Sequence, residues 1–160
     1  MGQRITIRLD LAADLWLAAA DTAELDSAVL NLVLNSRDAM PQGGEIRIQT
    51  RNQRIEETLA RSRPGLRAGD FVCLVVADSG EGMQEDVLRR ALDPFFTTKP
   101  EGDGAGLGLS AIDNFVKEAG GFVSIDSRPG AGTTVTLSLP RSAKAGAVSH
   151  PVKDLSLIHI

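Results

Sequence analysis

An unbroken apolar run, Phe71–Ala77, leads directly into the turn sequence Asp78-Ser-Gly-Glu-Gly82. The run is rich in valine and contains no charged or hydroxyl side chain, which is typical of a strand that is buried on both faces. We therefore expect Phe71–Ala77 to be the central strand of a sheet, with an acidic, glycine-containing turn at its end.

Hydrophobic periodicity on either side of this strand predicts the other elements. Alternating apolar and polar residues predict strands at Ile5–Leu9 and Glu45–Gln53, and a hairpin formed by Gly121–Asp126 and Thr133–Leu139. Helices are expected at Thr22–Met40, Gln84–Leu92 and Leu107–Ala119, and loops at Glu56–Asp70 and Asp93–Gly106. This order predicts an α/β two-layer sandwich, in which a mixed, mostly antiparallel sheet carries helices on one face.

Length and charge limit the classes of function. The chain has 160 residues, enough for one domain, and its net charge of −4 offers no basic footprint for nucleic acid or an anionic membrane. No apolar run reaches the roughly 20 residues of a transmembrane helix, and the N-terminus has no apolar signal core. We expect a cytoplasmic domain with no nucleic-acid partner and no membrane contact by this segment. The single cysteine, Cys73, is expected to be buried and inert.

The regular patterning ends after Pro140. We expect residues 4–140 to form the domain and residues 141–160 to be a linker or a non-native, disordered tail. The two histidines of the chain, His150 and His159, both lie in this tail.

Three polar residues share one stripe of the first predicted long helix. Asn31, Asn35 and Asp38 are spaced i, i+4 and i+7, beside an apolar face. Buried amides need hydrogen-bonding partners, and an amide oxygen can occupy one position around Mg²⁺ while the ion keeps waters and binds phosphates. From the residues alone, solvent-exposed helix asparagines explain the spacing equally well.

The turn after the central strand has the chemistry to recognise a base. Asp78 can accept a hydrogen bond from an exocyclic amine such as adenine N6, and Gly80 and Gly82 allow the backbone to turn and to approach a flat ring. An ordinary Asp/Gly turn is the competing interpretation of these residues taken alone.

A glycine-rich segment, Gly104-Ala-Gly-Leu-Gly-Leu109, leads into a predicted helix. Backbone N–H groups and the positive end of the helix can there face an anion. The segment is neither a Walker loop nor a dinucleotide-binding fingerprint, because it lacks the Gly-Lys-Ser/Thr ending and the G-x-G-x-x-G spacing. Before it, Phe95 and Phe96 would anchor a mobile lid and Lys99 would bring a charge to the phosphates. The alternative for the glycine-rich segment is a plain hinge. The alternative for the segment before it is a hydrophobic plug formed by the two phenylalanines, followed by a solvated lysine.

Taken in this order, the segments resemble the N, G1, F and G2 boxes of sensor histidine kinases. The boxes are Asn31–Asn35, Asp78–Gly82, Pro94–Lys99 and Gly104–Leu109. They are similar to those of the catalytic and ATP-binding domain of the gyrase, Hsp90, histidine kinase and MutL superfamily, which implies a Bergerat-type fold over Arg4–Pro140. The F box and the Asp38-Ala-Met end of the N box are similar to those of nitrogen-regulator-type and hybrid kinases.

The resemblance implies ATP and Mg²⁺ as cofactors and a role for each matching residue. Asn35 would be the Mg²⁺ ligand, Asn31 a second polar contact to metal water or phosphate, and Lys99 a phosphate contact. Asp78 would bind adenine N6 with support from Thr133 through a water. The remaining expected nucleotide-binding residues are Asp38, Gly80, Gly82, Met83, Phe95, Thr98, Gly104, Gly106, Leu107, Gly108 and Leu109.

Two departures from the family pattern define the expected activity. ATP-hydrolysing relatives have a glutamate at the position of Asn31, and because an amide is no general base we expect ATP to be held for transfer. The family's acceptor histidine lies on a dimerising helical hairpin that is not among these residues. The resemblance therefore implies an incomplete histidine kinase, a fragment that phosphorylates a hairpin of the same parent protein or in trans and, indirectly, a response regulator receiver domain. A non-catalytic ATP-responsive regulatory module and an anti-sigma-type serine kinase are the alternatives.

Overall fold

The computed structural model describes residues 4–63, 66–92 and 108–142, which contain five strands and four helices. In chain order these are β1 (Ile5–Asp10), α1 (Thr22–Asp38), β2 (Gly44–Ile55), α2 (Glu57–Ser62), β3 (Gly69–Asp78), α3 (Glu85–Arg90), α4 (Gly108–Glu118), β4 (Phe122–Ser127) and β5 (Thr133–Pro140). The predicted loop Asp93–Gly106 lies outside the described residues. Within them, no helix is both long and apolar enough to cross a bilayer.

Strand β3 lies at the centre of the sheet, as its apolar sequence predicts. The strand order is β1-β2-β3-β5-β4, with β1 parallel to β2 and the other three pairings antiparallel. The sheet is therefore mixed and mostly antiparallel, which confirms the predicted fold class. At the end of β3, Asp78 is paired with Thr133 of β5. The fold thus brings together two residues that the resemblance assigns to base binding.

The two faces of β3 contribute to different hydrophobic clusters. Leu74 and Val76 join the main core beneath α1 and α4, whereas Phe71 and Cys73 join a smaller cluster on the opposite face. Cys73 is a free, fully buried thiol, as expected, and its Sγ lies 3.1 Å from Gln53 Oε1. Fully burying a valine, leucine or phenylalanine side chain stabilises a fold by about 1.5–3 kcal/mol, so β3 contributes to the stability of both clusters.

Helix α1 begins where the sequence predicts. The Asp21 carboxylate accepts a 3.0 Å hydrogen bond from Glu24 N–H, which satisfies one of the free donors of the first turn. The helix ends at Asp38 instead of the predicted Met40, because Met40 N–H bonds to Arg37 O in a tighter turn and Pro41 follows. Its apolar face is buried against the sheet, with Leu25, Val29 and Leu32 at most 3% exposed.

The segment Glu56–Asp70, predicted to be a loop, contains the short helix α2, so this prediction was wrong in part. The helix has only six residues and no buried side chain, so no apolar periodicity indicates it. An exposed i,i+4 ion pair of 3.4 Å between Arg61 and Glu57 supports it locally. Its Ala60 packs against the cluster of Phe71 and Cys73, on the opposite face of the sheet from α1 and α4.

The end of α4 explains why β4 starts one residue later than predicted. Gly120 has a φ of 91°, its N–H bonds to Lys117 O, and the N–H of Gly121 bonds to Val116 O. These two bonds form a Schellman cap, which uses Gly121 to close the helix and leaves Phe122 as the first strand residue.

Backbone hydrogen bonds continue past the predicted domain boundary at Pro140. Pro140 O accepts from Ala19 N–H at 2.8 Å, and Ser142 N–H donates to Leu17 O at 2.6 Å. Arg141 N–H donates to Asp70 O at 3.0 Å, on the other side. The chain is therefore bonded to the fold through Ser142, and the boundary at residue 140 stays a prediction.

Candidate functional site

Two backbone donors fix the carboxylate at the end of β3. Asp78 Oδ1 accepts hydrogen bonds from Gly80 N–H at 2.9 Å and from Thr133 N–H at 3.2 Å. Asp78 Oδ2 has no partner among the described residues. Because a carboxylate is an acceptor on both oxygens, the second oxygen of this half-buried side chain remains available to a donor such as a base amino group.

Backbone packing requires the glycines of the base turn, which we define as Asp78–Met83. A Cβ at Gly80 would lie 2.6 Å from Ala39 O, and a Cβ at Gly82 would lie 1.9 Å from Arg128 O. Gly82 also has a φ of 71°, which L side chains rarely adopt. The sequence analysis assigned these glycines to a turn that approaches a ring. The structure adds close contact with neighbouring backbone as a second reason for them.

Hydrogen bonds join the base turn to elements on either side. Glu81 N–H donates to Ala39 O, just after α1, at 3.1 Å, and Glu81 O accepts from Gly130 N–H in the β4–β5 turn at 2.6 Å. Ser79 N–H donates to Glu45 O at 3.2 Å, and Ser79 Oγ accepts from Glu45 N–H at 3.0 Å. The base turn is therefore held in a fixed position relative to the end of α1.

Ser127, a residue that the sequence analysis missed, connects the rest of this region. Its Oγ accepts from Met83 N–H at 2.9 Å and lies 3.1 Å from Gly132 O and 2.8 Å from Thr133 Oγ1. The side chain is buried. The available signal in the sequence was a small polar residue at an inward-facing position of β4.

The α1 stripe, defined as Asn31, Asn35 and Asp38, lies beside the buried face of α1 as predicted. Asn31 and Asn35 are half-buried, and the side chain of Asn31 has no partner among the described residues. Asp38 pairs with Arg37 at 3.3 Å. Amide and carboxylate oxygens are the hard ligands that Mg²⁺ prefers, and the ion usually adds waters and phosphates to few protein ligands. The donor chemistry of the stripe therefore fits Mg²⁺, and its role as ligand stays a prediction.

The predicted phosphate-binding residues are only partly described. Gly108 and Leu109 begin α4, and the first N–H groups of a helix have no acceptor within it. Phe95, Thr98, Lys99, Gly104, Gly106 and Leu107 lie outside the described residues, and their roles stay predictions.

A cavity of about 480 Å³ lies on the face of the sheet that carries the cluster of Phe71 and Cys73, opposite α1 and α4. Its lining includes Arg51, Phe122 and Ser138, which come from β2, β4 and β5. None of the predicted site residues lines it, so it is separate from the base turn.

An ion-pair cluster lies at the opposite end of β3 from Asp78. Arg54 Nε donates to Asp70 Oδ1 at 2.9 Å, and Arg141 Nη1 lies 3.6 Å from Asp70 Oδ2. The hydrogen bond from Arg54, with the nearby arginine charges, holds the pKa of Asp70 below its usual value of 3.8. The same hydrogen bond raises the pKa of Arg54.

Comparison with known proteins identifies the family of the chain. Residues 20–143 match the family of histidine kinase-, DNA gyrase B- and HSP90-like ATPases. The chain is 41% identical over 141 residues to the sensor kinase CckA of Brucella abortus (strain 2308), which covers 88% of this chain and 15% of that protein. It is 37% identical over 121 residues to the sensor histidine kinase ZraS of Escherichia coli (strain K12), covering 76% and 22%.

Solved structures show the same fold. The catalytic domain of histidine kinase ThkA matches with a TM-score of 0.63 at 26% identity, over 86% of this chain and 80% of that chain. This chain spans less than a quarter of the length of the two curated relatives above. The family match and the structural neighbours confirm the predicted resemblance and the Bergerat-type fold. The relatives and the solved structure above are histidine kinases. The chain therefore belongs to the family of histidine kinase-, DNA gyrase B- and HSP90-like ATPases and carries its ATP-binding catalytic domain.

Proposed function

We propose that this domain binds Mg-ATP and transfers the γ-phosphoryl group to a histidine on a dimerisation helical hairpin, in the same parent protein or in trans. A response regulator receiver domain would be the next acceptor. The observation that supports this most directly is the available Asp78 Oδ2, fixed in relation to the α1 stripe by the hydrogen bond from Glu81 N–H to Ala39 O.

The base turn would recognise the adenine ring. Asp78 would accept a hydrogen bond from the N6 amino group, with Thr133 beside it and Gly80, Gly82 and Met83 shaping the pocket. Because hydrogen bonds already hold Asp78 Oδ1, little side-chain entropy is lost when the base binds.

The α1 stripe and the start of α4 would position the triphosphate. Asn35 would hold Mg²⁺, Asn31 would contact a metal-bound water or a phosphate, and Asp38 would lie at the edge of this group. When bound, Mg²⁺ neutralises phosphate charge. Lys99 and the N–H groups of Gly108 and Leu109 would contact the phosphates. Phosphoryl transfer depends mainly on such positioning and on charge neutralisation.

The amide at Asn31 favours transfer over hydrolysis. A hydrolase needs a group that takes a proton from the attacking water, and an amide cannot do this at neutral pH. With a carboxamide at this position, bound ATP would persist until an acceptor histidine reaches it. We also propose that residues 4–140 form the functional domain and that the remaining residues are a linker or a non-native tail.

The test is phosphoryl transfer from radiolabelled Mg-ATP by the 160-residue chain. The acceptor is an added helical hairpin that carries the acceptor histidine of a related kinase, and reactions without the hairpin serve as background. Acid-labile, base-stable label on the hairpin is the expected result. The variant Asp78→Asn should abolish the label, whereas Asp126→Asn, an exposed carboxylate on β4, should leave it unchanged.

Three outcomes would contradict the proposal. Absence of ATP binding by the chain would remove the site assignment altogether. Tight ATP binding without transfer to any of several related hairpins would favour the regulatory-module alternative, and label that is stable to acid would favour a serine kinase.

A further inference from the structure

We propose that Ser127 is a positioning residue that makes the Thr133 hydroxyl a hydrogen-bond acceptor, so that the site selects bases with a 6-amino group over bases with a 6-oxo group. The proposal rests on the proposed function, because it concerns the base that this site binds. It is carried by three contacts of one buried hydroxyl group: with Met83 N–H, Gly132 O and Thr133 Oγ1.

The direction of these hydrogen bonds follows from the number of protons. A serine hydroxyl has one proton to donate and two lone pairs that can accept. Met83 N–H can only donate, so Ser127 Oγ accepts from it at 2.9 Å. Gly132 O can only accept, so at 3.1 Å the Ser127 proton goes to that carbonyl.

The contact between Ser127 and Thr133 then has one direction. Their hydroxyl oxygens lie 2.8 Å apart, and either could be the donor on geometry alone. Because the Ser127 proton is engaged with Gly132 O, all three contacts are satisfied when Thr133 donates its proton to Ser127. The Thr133 oxygen is left with lone pairs and no proton for any ligand.

The neighbouring carboxylate has the same polarity. Asp78 Oδ1 is occupied by two backbone N–H groups, and Asp78 Oδ2 is an acceptor. At the end of β3, the side chains of Asp78 and Thr133 can therefore accept hydrogen bonds from a ligand but cannot donate any. Adenine has a donor at this edge, its 6-amino group, whereas a 6-oxo purine has a carbonyl oxygen there. A carbonyl facing two acceptors, directly or through one ordered water, lacks a proton for at least one contact.

If Ser127 is removed, this constraint disappears. In Ser127→Ala the Thr133 hydroxyl is free to rotate and can donate to a 6-oxo group or to a bridging water. The 6-oxo base would then gain one neutral hydrogen bond, and the contact with the 6-amino base would weaken. We therefore expect the preference for the 6-amino base over the 6-oxo base to fall by about three- to tenfold.

The experiment measures dissociation constants of ATP and inosine triphosphate for the 160-residue chain in Mg²⁺. This pair differs at position 6 of the base and in the proton on N1, with the same sugar and phosphates. The variants are Ser127→Ala, Thr133→Val, the double variant, and Ser124→Ala as a matched control, an exposed serine on the same strand. Thermal unfolding without nucleotide is recorded for each variant.

The expected result is a lower ratio of the inosine triphosphate constant to the ATP constant in Ser127→Ala, and an unchanged ratio in Ser124→Ala. In the Thr133→Val background, Ser127→Ala should not change the ratio, because the hydroxyl through which it acts is absent. A purely structural Ser127 would weaken both nucleotides equally, and this result would overturn the proposal.

Two measures keep the test decisive. If Ser127→Ala unfolds, Ser127→Cys replaces it, because a thiol fills the site but is too weak a donor to fix the Thr133 proton. The same change in ratio is then expected, and an unchanged ratio overturns the proposal. Failure of the proposed function looks different: the unaltered chain would bind neither nucleotide.

Discussion

The base turn and the α1 stripe belong to one proposed site but are built differently. At the base turn, hydrogen bonds engage Asp78 Oδ1 and the backbone of Ser79 and Glu81. In the α1 stripe, the helix alone determines the spacing, and the Asn31 side chain has no partner among the described residues. In the proposed site, a base turn held by hydrogen bonds on both sides thus lies next to a helix stripe in which Asn31 has no partner among the described residues.

This difference suggests a division of work. A preorganised pocket gives affinity and selectivity for the base, since little order is lost on binding. In the proposed site, a side chain such as that of Asn31, which has no partner among the described residues, could adapt to an ion and to phosphates whose charge distribution changes during transfer. The predictions below disturb one region at a time.

The largest effect is expected from Gly132→Ala, which disrupts the base turn through the backbone. A Cβ at Gly132 would lie 2.0 Å from Asp78 O, and φ there is 80°. We expect a loss of about 3 kcal/mol or more in the free energy of unfolding, measured with urea.

Gly130→Ala is the matched control, because its φ is 77° but its Cβ would meet nothing within 4 Å. It should lose only about 1–2 kcal/mol, the cost of a left-handed backbone conformation for an L residue. Equal losses would show that the contact with β3 is unimportant.

The next effect is expected from Asp78→Asn, which changes chemistry but not shape. The asparagine oxygen can still accept from Gly80 and Thr133, so the fold should persist. The new NH₂ group replaces the acceptor at Oδ2 with a donor that opposes the adenine amino group. We expect ATP affinity, measured by calorimetry, to fall by about 100-fold with little change in melting temperature. Retention of affinity would place the base elsewhere.

A smaller effect is expected from Asn35→Ala in the α1 stripe. If Asn35 holds Mg²⁺, the variant should lose about tenfold of the affinity that Mg²⁺ adds to ATP binding, and should bind ATP in EDTA as the unaltered chain does. The comparison is the ratio of dissociation constants with and without Mg²⁺. Asn114→Ala, an exposed asparagine on α4, is the control. An unchanged Mg²⁺ dependence in Asn35→Ala would remove it as the ligand.

The smallest effect is expected from Asp70→Asn, at the far end of β3. The folded-state pKa of Asp70 is lowered by Arg54, so the carboxylate stabilises the fold above its unfolded pKa, near 3.8, and this contribution disappears as pH falls through the lower folded value. The stability difference between the unaltered chain and the variant should therefore be present at neutral pH and vanish in acid. ATP affinity at neutral pH should not change. A stability difference that grows as the pH falls would contradict a lowered pKa of Asp70 in the folded state.

Local patterns were sufficient to predict the layers of the fold. The apolar run of β3 and the Asp21 cap of α1 are signals contained within a few residues, and the structure confirms both. Helix α2 was missed because it is short and buries no side chain. Its contacts are an exposed ion pair and the packing of the partly buried Ala60, and these leave no hydrophobic period in the sequence.

The sequence analysis proposed site residues where one residue carries the chemistry, and it did not find residues whose contacts depend on two distant positions. The carboxylate of Asp78 and the amides of the α1 stripe are recognisable from residue type and spacing. Ser127 and Gly132 are not, because their roles depend on partners across the sheet. Met83 and Ser127 are 44 positions apart, and the sequence does not show which serine lies beneath which turn.

The pairing of β3 with β5 has a consequence for folding. Asp78 and Thr133 hydrogen-bond across 55 positions of the chain, so the proposed base pocket can form only after a long loop has closed. A chain that has formed β1 to β3 but not β5 lacks the proposed adenine pocket. During synthesis the pocket would be completed late, and nucleotide would stabilise only molecules that have already closed. ATP binding would therefore measure complete folding, because partly folded intermediates without β5 would not bind ATP.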